Sequence, residues 1–220
     1  MSQHGKLWYF YFAVPTSPRS PVSPLRTRKR QFVRNEIWDT AMDLFAAKGF
    51  DATTVDDIAQ AAGVSRRSFF RYFSSKNDLM AQGILAYGTV VTQTIDRCPR
   101  SDSPAAVLRG TVLEVAQQSA AHPRARMVMQ IAAKYPAARE AQLSRFGEVQ
   151  ERVAEAYARR AKGGQKGDLT PRVLASLTLG MIDVILQSWF EDGRQDIAAT
   201  ANQVFTTSGQ LLAKTLRAGG

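Results

Sequence analysis

Cysteine and histidine are nearly absent from this chain. One cysteine, Cys98, leaves no intramolecular disulfide. Two histidines, His4 and His122, leave no set with zinc-ligand spacing. Both scarcities fit a reducing compartment, so a cytoplasmic location is expected. No uninterrupted apolar run approaches the roughly 20 residues a membrane-spanning helix needs, so no membrane partner is expected. No stretch alternates as a strand would, and no segment repeats. Catalytic signatures are missing too: no nucleophile elbow, no phosphate-cradling glycine loop, no convincing carboxylate pair. An enzyme is therefore not expected, and no cofactor is implied. Acidic residues are the scarcer charge, 19 against 29 basic, a formal net charge of +10. That balance suits a polyanionic partner without distinguishing nucleic acid from a membrane surface. What remains, 45% hydrophobic and 22% charged over 220 residues, is enough for one or two globular domains with a real core.

The most informative stretch is Thr53 to Lys76, T-T-V-D-D-I-A-Q-A-A-G-V-S-R-R-S-F-F-R-Y-F-S-S-K. Val55, Ile58, Ala59 and Ala62 fall at i, i+3, i+4 and i+7, one apolar stripe of a short helix. Thr54 with Asp57 three residues on reads as a capping box with Asp in place of Glu. Gly63 supplies a left-handed turn, and Ser65 is suited to cap a second helix. On that second helix Phe69 and Phe73 share a face, with Arg67 and Arg71 opposite and Ser68 and Phe70 flanking. A helix packed from behind and cationic in front has the layout of a recognition helix in a DNA major groove. A plain helical hairpin with solvated arginines would share the spacing but would have no use for the outward cations.

From Ile37 to Met80 the chain resembles the DNA-binding domain of the TetR family of bacterial transcription regulators. The matching residues are A-M-D-L-F-A-A-K-G-F (41–50), T-T-V-D-D-I-A-Q-A-A-G-V-S (53–65) and F-F-R-Y-F-S-S-K-N-D-L-M (69–80). The family typically carries Tyr at the position of Phe70, so this chain lacks that hydroxyl. DNA contacts are expected from Thr53, Thr54, Ser65, Arg66, Arg67, Ser68, Phe70, Arg71, Tyr72 and Lys76. Within that set Arg67 and Arg71 should reach base edges. Phe70 suits a thymine methyl, and Thr53, Thr54 and Lys76 lie at helix starts where phosphates are held.

Taken in order, residues 1–25 read as a disordered extension. An aromatic run, Leu7 to Val14, precedes a proline-rich segment, and no small-x-small cleavage site follows. Arg26, Arg28, Lys29, Arg30 and Arg34 form either a basic arm onto DNA or a solvated charge run. The helix-turn-helix domain is expected over 26–76, holding three helices around Leu44, Phe45, Ile58, Phe69 and Phe73. A helical ligand-binding and dimerisation domain is expected over 77–220. Its helices should cover about 77–97, 104–121, 124–134, 137–162, 170–192 and 196–216, with a flexible glycine break at 163–167. The fold class is thus all-α, about nine helices.

The helices expected over 170–192 and 196–216 carry wide apolar stripes, including Leu177, Met181, Val184, Ile185 and Trp189 on one and Val204, Phe205 and Leu212 on the other. Core packing explains part of each stripe. A homodimer seam explains the rest, since a single recognition helix reads few base pairs and two-fold dimers read palindromes. The family resemblance implies the same dimer, and it implies a cavity for a small hydrophobic effector. Tyr87, Val91, Leu113, Met127, Ile131, Phe146, Val149 and Val153 are the candidates to line it, although taken singly each is better accounted for by core packing. The stretch H-P-R-A-R-M-V-M-Q-I (122–131) resembles members that take acyl-CoA-like ligands, with Arg124 and Arg126 placed for phosphates or for solvent. The regulator implied is most often a repressor. An activator of the same fold and a sequence-nonspecific DNA-binding protein are the alternatives.

Overall fold

The computed structural model describes residues 25–161, 167–192 and 196–218. The expected N-terminal extension lies outside them except for Leu25, and so does most of the glycine break. Among the described residues there are ten helices and no strand: α1 (Leu25–Lys48), α2 (Val55–Ala61), α3 (Arg66–Phe70), α4 (Lys76–Arg97), α5 (Pro104–Ala121), α6 (Ala125–Lys134), α7 (Pro136–Leu143), α8 (Phe146–Ala158), α9 (Thr170–Asp192) and α10 (Ile197–Ala218). The tenth arises because the long helix expected over 137–162 is two. Ser144 closes α7, its hydroxyl donating to Ala141 O at 2.7 Å and satisfying a carbonyl that a continuous helix would have used. Apolar periodicity runs on through that junction and hides it.

The described chain divides into two compact units, and they do not follow a cut after residue 76. The first holds the residues up to Thr89 together with Met127–Phe146. Its core is built from Ile37, Met42, Phe45, Phe50, Ile58, Phe69, Phe73 and Leu79, each essentially solvent-free, and Ile131, Ala138 and Ala141 join it from α6 and α7. Truncating Phe69 or Phe73 to alanine should cost roughly 3–5 kcal/mol. Trp38 donates its indole N–H to Leu79 O at 3.0 Å, tying α1 to α4. Gly49 ends α1 at φ 93° and Gly63 turns α2 into α3 at φ 65°, the two left-handed positions the sequence marks. Tyr135, packed 6.1 Å from the Phe50 ring, fills the space beside Gly49 that a side chain would need.

The second unit holds Val90–Arg126 and the residues from Gly147 onward. Within it α9 packs against α5 and α10, and α10 packs against α5. Val91, Ile95, Val112, Val149, Val153, Ile182 and Ile185 are buried there. One polar pair is sealed inside: Tyr157 Oη lies 2.7 Å from Thr178 Oγ1, and burial pushes the phenol upward from its ordinary pKa. Ser103 and Pro104 start α5 as their types dictate, the serine hydroxyl accepting from Ala106 N. The expectation of no membrane-length segment needs one correction. Thr170–Glu191 of α9 is long and apolar enough to meet that test by length and composition. Polar residues interrupt it, which is why no unbroken run shows. Its buried face, including Ala175, Leu179, Ile182 and Ile185, is consumed against neighbouring helices.

Candidate nucleic-acid interface

Local chemistry sets the position of α2 and α3. Thr54 Oγ1 accepts from Asp57 N at 3.1 Å while Asp57 Oδ2 accepts from Thr54 N at 2.9 Å, a complete capping box. Lys48 adds a third contact to that carboxylate at 3.1 Å. The Thr54 backbone N–H, then its hydroxyl and Lys48, lower the Asp57 pKa to about 2. Beyond Ala61 the chain turns at Gly63, and Val64 N donates back to Ala59 O at 2.9 Å. Ser65 then caps α3 through Ser68 N at 3.1 Å.

Phe69 and Phe73 are wholly buried beneath α3, their rings 5.8 Å apart. The outer face carries Arg66, Arg67, Phe70 and Arg71, all exposed, with Ser68 and Tyr72 half-buried beside them. Phe70 is 46% exposed, a high figure for an aromatic ring, and meets Phe69 edge-on at 5.5 Å. The arginines differ sharply. Arg66 Nη1 donates to both carboxylate oxygens of Asp56 and its guanidinium lies 5.4 Å over the Phe70 ring. Arg71 sits 5.0 Å over the Tyr72 ring and donates to its hydroxyl at 3.3 Å. Arg67 is exposed and makes no hydrogen bond or ion pair with the described residues, so its five donors are available for an outside partner.

Two expected phosphate contacts are redirected. Thr53 is fully buried, its hydroxyl donating to Gly49 O at 2.8 Å. It fastens the turn after α1 and has no outward hydroxyl. Lys76 points its ammonium inward to Phe50 O, Asp51 O and Thr53 O at 2.8, 3.0 and 3.2 Å, above the Phe50 ring at 4.8 Å. Those carbonyls have no helical partner, and a cation is the strongest donor available to them. Thr54 and Ser65 stay on the surface, each engaged as a cap. Of the basic arm, Arg28, Lys29 and Arg30 lie exposed on the first turns of α1. Arg34 is withdrawn: it hydrogen-bonds Gln82, lies 5.7 Å over the Phe73 ring, and burial lowers its pKa. Asp56 escaped notice in the sequence, because a contact to Arg66 ten residues on needs the turn geometry to be seen.

Ile131 and Met127 of the effector-pocket set pack into the first unit's core. Val91, Val149 and Val153 are buried in the second unit. Tyr87 and Leu113 are half-buried and Phe146 is 38% exposed. Arg126 is not available for a ligand phosphate. It donates to Trp189 O and Phe190 O at 3.2 and 3.1 Å, closing the end of α9, and stacks 4.5 Å over the Trp189 ring. In the dimer set, Ile185 and Met181 face inward and belong to the chain's own core. Leu177, Trp189, Val204 and Phe205 are half-buried, with Arg109 4.5 Å over the Phe205 ring. Val184 and Leu212 are half-exposed or more, as are Leu169, Val173 and Leu211.

Residues 37–82 match the model of bacterial regulatory proteins of the tetR family, and residues 102–213 match the MftR C-terminal domain. A protein of Mycobacterium tuberculosis named "Putative mycofactocin biosynthesis transcriptional regulator MftR" is 28% identical over 187 residues, 83% of this chain and 92% of that one. Among solved structures, NalD of Pseudomonas aeruginosa, the secondary repressor of the MexAB-OprM multidrug efflux pump, superposes with a TM-score of 0.60 at 20% identity, over 82% of this chain and 96% of that one. The SmeT–triclosan complex superposes at 0.57 and 20% identity, over 80% and 91%. With the capped helix-turn-helix, the cationic face of α3 and both matching regions in hand, the chain belongs to the TetR family of DNA-binding transcription regulators, with a C-terminal region of the MftR type.

Proposed function

We propose that this regulator is a repressor that binds a palindromic operator as a homodimer in the cytoplasm and leaves it when a small hydrophobic effector binds. The observation that carries the DNA-reading half is the pair of opposed faces on α3: Phe69 and Phe73 buried, Arg67 exposed and without a hydrogen-bond or ion-pair partner among the described residues. A guanidinium so placed forks guanine O6 and N7 in the major groove. Arg71, Ser68, Tyr72 and Phe70 flank it. Arg28, Lys29 and Arg30 lie on the same unit, available for phosphates or a minor groove. Residues 26–76 serve as the reading module.

Dimerisation is supported by apolar side chains exposed on α9 and α10, Val173, Val184 and Leu212 among them. Repression is supported by NalD, described as a repressor, and effector release by SmeT, solved with triclosan. A ligand favouring one conformation of the second unit would shift the population of operator-competent dimers. With Arg126 committed to α9, an acyl-CoA phosphate would have to rely on Arg124, so an uncharged apolar effector is the better first trial.

The test is Arg67→Ala against an operator selected from random duplexes and against scrambled DNA, across a salt series. Affinity for the operator should fall by about 1–3 kcal/mol, with relaxed preference at one base pair per half-site. Scrambled DNA should lose far less. Equal loss on both duplexes, with base preferences intact, would place the reading face elsewhere on the unit.

A further inference from the structure

Arg66 and Arg67 are adjacent and of one type, yet their surroundings are opposite. Arg66 Nη1 reaches both oxygens of Asp56, at 2.7 and 2.6 Å. The partners lie ten residues apart, one in the first turn of α2 and one in the first turn of α3, joined across the Gly63 turn. The guanidinium is at the same time stacked 5.4 Å above Phe70. Phe70 is held in turn by the edge contact with Phe69 at 5.5 Å. Carboxylate, guanidinium and ring thus form one assembly on the outer face of the reading helix.

Stability does not account for this assembly. The side chains of Arg66 and Asp56 are 61% and 65% exposed, and a pair so open to water contributes little to folding. We propose that Asp56 is a specificity-determining residue: it holds Arg66 out of base readout and leaves Phe70 as the group that meets the operator there. This rests on the DNA-reading role of α3 proposed above. When a duplex approaches, water leaves the contact and the attraction between Asp56 and Arg66 strengthens in the drier surroundings. Were Arg66 to swing away to guanine, Asp56 would be left as a bare carboxylate facing a polyanion. That penalty keeps the pair closed. A closed pair is electrically neutral, releases no counterion, and offers no free fork to guanine. Phe70, fixed on one side by the guanidinium, presents an apolar edge that matches a thymine methyl. Arg67, with no partner among the described residues, remains the guanine reader.

The experiment selects bound duplexes from a pool randomised over the half-site, using the full chain as wild type, Arg66→Ala, Asp56→Ala and Asp56→Asn. Salt slopes are then measured on the duplex the wild type selects. Asp56 is exposed and the Thr54–Asp57 capping box does not involve it, so helix content should be unchanged. Arg66→Ala should keep every guanine preference of the wild type, while the bared Asp56 carboxylate weakens binding overall and leaves the slope no steeper. Asp56→Ala should add a guanine preference of about tenfold at one position and steepen the slope by about 1, because a freed cation now reaches the duplex. Asp56→Asn should do the same more weakly, since its amide still accepts from Arg66. Loss of a guanine preference in Arg66→Ala would show that Arg66 itself reads a base and would overturn the inference. Unchanged preferences and slope in both Asp56 variants would overturn it too. A wild type that enriches no sequence at all would refute the reading role itself, an outcome distinct from the other two.

Discussion

Replacing Lys76 by methionine separates two roles that one lysine could play. Its ammonium donates to three carbonyls, Phe50 O, Asp51 O and Thr53 O, between 2.8 and 3.2 Å, and lies 4.8 Å from the Phe50 ring centroid. Methionine keeps the apolar stem and drops the charge. A hydrogen bond to a charged group contributes about 1.5–3 kcal/mol when its partners are withdrawn from water, and the ring contact about 0.5–1 more at a partly exposed site. The carbonyl of Asp51 is open to solvent and can turn to water, so only part of the sum is lost. The expected cost is about 2–3 kcal/mol. For a chain of this length each kcal/mol lowers the melting temperature by roughly 2–4 °C, so a drop of about 4–12 °C is expected. Calorimetry on the variant, beside salt-dependent DNA binding, decides the matter. The salt slope should be unchanged, because this cation faces the protein's own backbone. A variant with wild-type stability and a slope shallower by about 1 would refute the reasoning and make Lys76 a phosphate contact.

Gly49→Ala should destabilise by at least about 2 kcal/mol, since φ is 93° and the new methyl would meet the Tyr135 hydroxyl; adding Tyr135→Phe should restore only the part due to that clash, which a double-mutant cycle in urea would measure. His122, which burial and the neighbouring Arg124 hold at a pKa of about 4, is taken up as a proton acceptor by the unfolded chain near 6.5. Stability from this group is therefore complete above about pH 6.5 and is lost as pH falls toward 4, by about 1 kcal/mol after discounting its partial exposure. His122→Gln should flatten the unfolding profile across that window, and an unaltered profile would show that carboxylates alone carry it. Val184→Asp, at a half-exposed position, should leave helix content intact while turning a sedimenting dimer into monomer. A variant still dimeric at micromolar concentration would put the seam elsewhere.

Signals confined to one turn of helix were legible in the sequence. Thr54 with Asp57, Gly63, Ser65, Ser103 with Pro104, and Gly49 each act through a bond or a dihedral within four residues of themselves, and each does in the fold what its type predicts. The break at Ser144 was not legible, because apolar spacing continues on both sides of it and serine is a weak breaker. Membership of α6 and α7 in the first unit's core was hidden for another reason. Ile131, Ala138 and Ala141 have the composition of any core, and composition does not say whose. In α9 the sequence offered Met181 and Ile185 to a partner subunit, whereas the fold uses them at home and leaves Val173 and Val184 open. A helical wheel orders residues around an axis; which sector meets the rest of the chain is decided by packing.

The cations give the sharpest case. Counted by type, the reading unit offers a row of equivalent positive groups, and a net charge of +10 invites each to be given a phosphate. The fold spends many of them internally. Lys76 and Arg126 satisfy carbonyls that a turn or a helix end leaves without partners, and Arg160 does the same for Ile95 O and Cys98 O at the end of α4. Lys48 and Arg66 face carboxylates, and Arg34 is drawn toward Gln82 and Phe73. The carbonyl contacts among these lower a local cost that would exist with no DNA present. Long flexible stems make lysine and arginine good at this task, since the head can find a carbonyl several residues from its own backbone. A cation left without such a duty, on a face where burial could have been arranged for it, is therefore the informative one. By that criterion Arg67 stands apart from its neighbour Arg66, although the two are the same residue, one position apart, on the same five-residue helix.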